Sequence, residues 1–362
     1  MMKKELAKWV TFQPNLRHPV HNWFYFKEGF SKELVEWIIE EYSVSKKIYD
    51  PFCGVGTTLL VAKEKGIKSI GIDVSPLAVF VSKVKTRNYD VDVLKEKYKE
   101  LKKERFPMLK GPKLFRKFFY GKTFEMLCGI KAKIEEIEEE KVRDFFMLAL
   151  IDSAAKVALV KKVGGSLRRV KKHPMPIKNL FLRKAKKMIA DLEKVKFSRE
   201  EPIVMEADAR NFYLGSKARA IITSPPYLNK IEYTTVYKLE LGLFFKQPET
   251  KLRSYIADEI KIQPVAKYAG MPLVAQAYFA DMEKVLENMY KSLSKNSLAF
   301  IVVAGGCFPD RVINSDEIIA RIAEEKGFNL LEIIFARKIP CMKARSFFVG
   351  YAKESIVVLE KA

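Results

Sequence analysis

The chain has 362 residues, 48% hydrophobic and 30% charged, with 66 Lys and Arg against 44 Asp and Glu. That composition predicts a globular, soluble, cytoplasmic protein larger than one compact core needs, and no apolar run is long enough to cross a bilayer. A formal charge of +22 draws polyanions, and the thermophile habit of abundant Lys and Glu does not explain it, because that habit raises both signs together.

The first residues, Met1-Met2-Lys3-Lys4-Glu5, have no apolar signal core behind them. Leu34, Val35, Ile38, Ile39 and Tyr42 follow helical spacing, with Ser31 as the expected N-cap. Lys47 to Asp50 reads as a short strand, running at once into Pro51-Phe52-Cys53-Gly54-Val55-Gly56-Thr57-Thr58. A helix from Thr57 to Lys65 stops at Gly66, and Ser69 to Val74 is a second apolar strand. Pro76 suits the first turn of the next helix. Strand, glycine turn, helix, strand and helix open a doubly wound sheet.

From Val91 to Arg199 that alternation stops, and the residues read as charged and helical with no convincing strand. Between Asp152 and Asp191 there is no acid, while Lys156, Lys161, Lys162, Arg168, Arg169, Lys171, Lys172, Lys178, Arg183, Lys184, Lys186 and Lys187 fall there. Gly164-Gly165 and Pro174-Met175-Pro176 break the stretch into a loop. Strands resume at 202–205 and 220–223, the second leading into Ser224-Pro225-Pro226-Tyr227. A helix at 278–293, a buried strand at 298–304, a helix at 318–325 and strands at 329–336 and 355–359 complete the pattern. No two of Cys53, Cys128, Cys307 and Cys341 have metal-ligand spacing, so all four read as reduced thiols, without a metal.

Gly54 and Gly56 let the backbone turn sharply and approach a ligand with no Cβ in the way. The turn lacks a third glycine and a Gly-Lys-Ser/Thr ending, which disfavours dinucleotide and triphosphate ligands. Asp50 to Thr58 resembles the first motif, Asp-Pro-Phe-x-Gly-x-Gly-Thr-Thr, of the amino-methyltransferases that modify nucleic acid bases using S-adenosylmethionine (SAM). The resemblance covers most of the chain outside the Val91–Arg199 block. It implies a Rossmann-like α/β methyltransferase sheet, mostly parallel with an antiparallel C-terminal strand, plus an inserted basic helical subdomain. Residues 1–90 would carry the closing segment and SAM half, 91–200 the nucleic-acid-binding insert, and 201–362 the reaction half.

The same resemblance assigns the SAM site to Asp50, Pro51, Phe52, Cys53, Gly54, Gly56, Thr57 and Thr58. Asp73, with Val74 beside it, would accept hydrogen bonds from the ribose; the alternative is an N-cap for the helix at Pro76. Asp208, beside Ala209, resembles the acid that contacts the adenine amino group; the alternative is a simple turn residue. His18-Pro19 and the segment Phe24 to Phe30 resemble the part that closes over the methionine end, with Phe30 the best candidate and a core aromatic the alternative.

Ser224-Pro225-Pro226-Tyr227 would be the reaction site. An amino group conjugated to a base ring is a poor nucleophile, and acceptors for its two protons localise its lone pair. Ser224 Oγ and the Pro225 carbonyl are the expected acceptors, and Tyr227 would stack on the extruded base. The amine becomes acidic only after it attacks, so a missing catalytic His does not count against the chemistry; proximity and orientation matter most. In the family, Ser at the first position mostly accompanies cytosine N4, and Asp or Asn adenine N6. Alone, the four residues are only a rigid turn.

Lys161, Lys162, Arg168, Arg169, Lys171, Lys172 and Arg183 are the expected phosphate-binding surface, with a solvated helix face as the alternative. Phe118, Phe119 and Tyr120 are open between base stacking and core packing. No helix-turn-helix or zinc finger is visible, and the pattern resembles archaeal proteins of this class, some of which methylate cytosine N4 in ribosomal RNA, even twice on one nitrogen. Structured RNA is slightly favoured as substrate over DNA. Many DNA cytosine-N4 enzymes place the reaction loop before the cofactor turn, the reverse of the order here. Methylation of a protein glutamine and a non-catalytic nucleic-acid-binding role are further alternatives.

Overall fold

The computed structural model describes residues 2–163, 166–228, 233–245, 262–343 and 347–362. In chain order, α1 (Met2–Trp9) and α2 (Lys32–Glu41) precede β1 (Ile48–Asp50), α3 (Thr57–Glu64), β2 (Ser69–Asp73) and α4 (Pro76–Thr86). Next come α5 (Val91–Lys103), α6 (Lys113–Arg116), α7 (Gly121–Glu135), α8 (Glu140–Val157), β3 (Val160–Val163), β4 (Ser166–Arg169) and α9 (Ile177–Leu192). The second half holds β5 (Ile203–Glu206), β6 (Ala218–Thr223), α10 (Tyr233–Val236), α11 (Lys238–Phe244), α12 (Leu273–Ser292), β7 (Leu293–Ala304), β8 (Gly306–Cys307), β9 (Val312–Ile313), α13 (Ser315–Glu325), β10 (Asn329–Lys343) and β11 (Phe347–Lys361).

Seven strands form one sheet in the order β10-β11-β7-β6-β1-β2-β5. The pairs β1/β2, β1/β6, β2/β5 and β6/β7 are parallel, and β11 runs antiparallel to both its neighbours. The expected α/β sheet, mostly parallel with an antiparallel C-terminal strand, is therefore present. Its order reverses at β1: the chain moves outward to β2 and β5, then returns to β6 on the other side. A crevice at the carboxyl ends of the strands at such a switch point is where open α/β sheets bind ligands.

The central strands are apolar on both faces, as strands covered by helices must be. Ile301, Val303 and Val357 pack with α12 and α13 on one side, while Phe300, Val302 and Ile356 pack with α1 and α2 on the other. A third apolar cluster joins α7, α8 and α9 to Leu60, Leu77 and Val81 of the cofactor half and to Trp23 of the N-terminal segment. Trp23 Nε1 donates to Asp191 Oδ2 at 3.1 Å, tying that segment to α9.

Several expectations need correction. The block 91–199 contains a hairpin, β3–β4, with Lys161 opposite Arg168 and Lys162 opposite Leu167. Its strands are short and polar, so they lack the apolar alternation that marks a half-buried strand. Gly164-Gly165, read as a loop breaker, lies outside the described residues. Ser31 sits at the N-cap of α2 in extended conformation, but its side chain makes no capping hydrogen bond. Cys307 and Cys341 are not free thiols: they form a disulfide, with Cα atoms 5.5 Å apart. Thirty-four residues of sequence separate them, and only the meeting of β8 with β10 brings them together. Among the described residues, no helix is long and apolar enough to cross a membrane.

Candidate active site

The glycine turn fills the β1–α3 connection, and its backbone explains its sequence. Gly54 has φ +49° and Gly56 φ +77°, in the left-handed region that disfavours residues with a Cβ. A Cβ on Gly56 would also lie 2.4 Å from Ser82 Oγ, so the helix α4 can pack only against glycine there. Asp73, at the end of β2, holds the turn closed: its Oδ2 accepts from Gly54 N at 3.0 Å and its Oδ1 from Ser75 N at 2.8 Å. The cap of α4 is Ser75, whose hydroxyl accepts from Ala78 N, so Asp73 is not the capping residue.

Asp50 joins this turn to the reaction strand. Its Oδ1 accepts from Thr223 Oγ1 at 2.6 Å and from Phe52 N at 3.1 Å, and Thr58 Oγ1 donates to the carbonyl of Ile222 at 3.3 Å. The glycine turn and the loop from Ser224 to Tyr227 are thereby fixed by hydrogen bonds across adjacent strands β1 and β6. Both aspartates are deeply buried. Desolvation pushes Asp50 up to about 7 against its hydrogen bonds, and pushes Asp73 up to about 6 in the same way.

A cavity of about 380 Å³ opens on this turn. Asp50, Pro51, Phe52, Cys53, Gly54, Val55, Thr57, Thr58, Asp73, Val74, Asp208, Ala209, Ser224 and Pro226 all line it. Phe30 lines it too, while also packing in the core with Leu34 and Val35. Gly56 shapes the turn from behind and is not in the wall. Asp208 is held by Arg210, with Nη2 at 2.7 Å from Oδ2, and Arg210 bridges on to Asp281 at 3.2 Å. Burial would raise the Asp208 carboxyl, but the guanidinium and the Arg210 amide outweigh it and hold the group below its ordinary value.

At the reaction loop, Ser224 Oγ donates to the carbonyl of Val302 at 3.0 Å. That uses the hydroxyl's one proton, so what Ser224 can offer a ligand is lone pairs. Successive residues face different spaces. Ser224 and Pro226 line the first cavity, whereas Pro225 and Tyr227 line a second of about 340 Å³ with Phe12, Tyr25, Arg337 and Glu354. Tyr227 Oη donates to Glu354 Oε1 at 2.7 Å, and Arg337 Nε holds the other oxygen of that buried carboxylate. Glu28, Gly29 and Tyr233 line both cavities.

Several wall residues escaped the sequence reading. Phe26 is one: its ring would lie 3.4 Å from a Cβ on Gly54, and it stacks on Tyr237 with centroids 5.3 Å apart. Tyr237 donates to Glu28 Oε2 at 2.8 Å. Arg210, Leu77, Tyr233 and Leu241 are others. The aromatic run Phe24 to Phe30 carried a signal for Phe26, but nothing in the sequence linked it to Tyr233 or Tyr237.

The basic residues divide. Lys161, Arg168, Lys171 and Arg183 are exposed. Arg169 is exposed and donates to the carbonyl of Lys117. Lys162 turns inward, paired with buried Glu240 at 2.7 Å and 3.6 Å above the Tyr237 ring. Lys172 donates to the carbonyls of Lys156 and Ala158. Lys184 is buried, donating to the Trp23 carbonyl at 2.6 Å. Phe119 is buried and stacks on Phe124, which settles its role as core packing; Phe118 packs partly buried on the same cluster, while Tyr120 stays largely exposed.

Known proteins can be set beside this geometry. Residues 3–84 match the family model described as DNA methylase, of the N6/N4 methyltransferases. The chain is 29% identical over 339 residues to the Type II methyltransferase M.BsoBI of Geobacillus stearothermophilus, covering 77% of this chain and 64% of that protein. It is 26% identical over 398 residues to the Type II methyltransferase M.AvaI of Nostoc sp., covering 90% of this chain and 83% of that one. The chain thus spans somewhat less than two thirds of the first relative's length. An O-methyltransferase from a Brevibacillus brevis multienzyme, solved with S-adenosyl-L-homocysteine (SAH), aligns at TM-score 0.37 and 9% identity, over 92% of this chain and 72% of that one.

The family match and the methyltransferase relatives support a SAM-dependent methyltransferase of the N4/N6 DNA methylase type. The cavity fits that cofactor: a glycine turn, a buried acceptor in Asp73, and an apolar wall from Val74, Leu77 and Ala78.

Proposed function

We propose that this chain methylates the exocyclic N4 amino group of cytosine in DNA. One observation carries the reading most strongly. The cavity on the glycine turn contains Ser224, and the next residue of the loop turns into a second cavity large enough for an extruded base. Two ligands could therefore meet across a loop four residues long.

SAM supplies the methyl group; the chain positions it and prepares the amine. The turn from Asp50 to Thr58 wraps the methionine part, with Phe26 and Phe30 covering it. Asp73 accepts from the ribose hydroxyls with whatever lone pairs its two backbone donors leave, and Asp208 with Ala209 and Val74 bounds the adenine. Ser224 Oγ and the Pro225 carbonyl accept the two amino protons, localising the lone pair toward the methyl. Tyr227, anchored at its hydroxyl by Glu354, presents its ring to the base.

The family description as DNA methylase favours DNA over the structured RNA slightly preferred on sequence grounds. Ser224 favours cytosine over adenine. Lys161, Arg168, Arg169, Lys171 and Arg183 then serve as phosphate contacts. The deciding experiment is transfer of labelled methyl from SAM to genomic DNA, naked ribosomal RNA and undermethylated ribosomal subunits, with nucleoside analysis of the product. N4-methylcytosine in DNA is the expected result. Label confined to RNA would overturn the substrate, and label in adenine would overturn the target base.

A further inference from the structure

Five carboxylates line the two cavities among the described residues: Glu28, Asp50, Asp73, Asp208 and Glu354. Four are engaged by neighbours. Asp50 is held by Thr223 and Phe52 N, and Asp73 by Gly54 N and Ser75 N. Asp208 is held by Arg210, and Glu354 by Tyr227 and Arg337. Glu28 differs in two ways. It alone of the five lines both cavities, and among the described residues its only side-chain donor is Tyr237.

Resting on the amine-methylation reading above, we propose that Glu28 is a further catalytic residue, the acceptor of the proton that the methylated amino nitrogen must lose. The nitrogen lone pair forms the new N–C bond as the bond from that carbon to sulfur breaks, its electron pair staying on sulfur. The nitrogen is then positively charged. One N–H bond breaks with its electrons returning to nitrogen, and the proton passes to the Glu28 carboxylate, which later returns it to water. A carboxylate at the waist between donor and base gives that proton a destination beside the rings of Phe26, Tyr233 and Tyr237.

The groups facing Glu28 set when it is ionised. Tyr25 and Lys27 come from its own segment, Tyr233 and Tyr237 from around α10, and Lys162 from β3. Across the smaller cavity stand Arg337 and Glu354, and Asp73 acts on Tyr233 from the larger one. Burial dominates and raises the carboxyl above its ordinary value, while the Tyr237 hydrogen bond, Lys162 and Lys27 oppose it. A proton acceptor works best with its affinity moved toward the working pH, which is the direction here.

The test combines pH–rate profiles with calorimetry of ligand binding. Glu28→Gln should lower kcat by about 10²-fold at neutral pH and remove the acid limb of the profile. Tyr237→Phe removes a donor that favours the ionised form, so its acid limb should move to higher pH. Independently of turnover, SAM carries a positive sulfonium and SAH does not. Titrated in buffers of different ionisation enthalpy, the wild type should release more protons on binding SAM than on binding SAH, and Glu28→Gln should reduce that difference to the part that Asp50 and Asp73 supply. A Glu28→Gln protein that binds SAH normally yet keeps the wild-type rate and limb would overturn the proposal. An unmoved limb in Tyr237→Phe, or a SAM–SAH proton difference that Glu28→Gln leaves undiminished, would do the same. If the wild type methylates no nucleic acid at all, the proposed function falls, and the calorimetric difference alone then decides whether Glu28 faces the sulfonium.

Discussion

Residues 48–86 and 156–187 each hold a local sequence bias, one toward glycine and short strands, the other toward lysine and arginine, and the two biases translate into structure very differently. In the first, each unusual residue has a geometric duty: Gly56 has no room for a Cβ, and Asp73 receives the turn's amides. In the second, like residues do unlike work. Lys161 is exposed while its neighbour Lys162 is folded onto Tyr237, and Lys184 is buried under the Trp23 carbonyl. A conformational constraint is local, so sequence reports it well. A charge says nothing of which way its side chain points until the fold is known.

Substitutions can break this contrast. The largest effect is expected at Ser224→Ala, which removes the acceptor proposed for the amine: a rate loss on the order of 10²-fold, with SAH affinity unchanged by calorimetry. Asp73→Asn should weaken SAM binding roughly 10-fold, on the order of one charge-assisted hydrogen bond. In the wild type, SAM affinity should fall as pH drops through about 6, where Asp73 gains its proton, and Asp73→Asn should flatten that slope. Within the basic region, Lys162→Ala leaves the buried Glu240 carboxylate without its cation, so a stability loss of about 2 kcal/mol is expected in urea unfolding. The paired exposed substitution Lys161→Ala with Arg168→Ala should change stability by less than about 0.5 kcal/mol. It should instead reduce nucleic-acid affinity and lower the salt dependence by roughly one unit of slope per lost phosphate contact. Equal stability losses in both cases would erase the distinction between inward and outward lysines.

The same contrast explains what was legible. The nine-residue turn, Asp73 and the Ser-Pro-Pro-Tyr loop are signals confined to a few residues, each at the end of a strand that the apolar pattern reveals. The parallel sheet follows from their alternation with helices. The β3–β4 hairpin was missed because its strands are polar, although two glycines between short runs were a hairpin signal. Glu28, Tyr233 and Tyr237 were missed for a different reason: their meeting depends on segments some two hundred residues apart in sequence. The Cys307–Cys341 disulfide is closer in sequence, with a separation of 34, but it too depends on a meeting of strands that the sequence does not report.

The hydrogen bond from Thr223 to Asp50 closes a loop of 173 residues, and the entire insert lies within it. Helices α7 to α9 make mostly local contacts and can form early, whereas the β1/β6 pairing must wait until the intervening chain has compacted. The crevice is therefore expected to be assembled late in folding. A ligand that occupies it acts after the rate-limiting step, so SAH should slow unfolding while leaving the refolding rate nearly untouched.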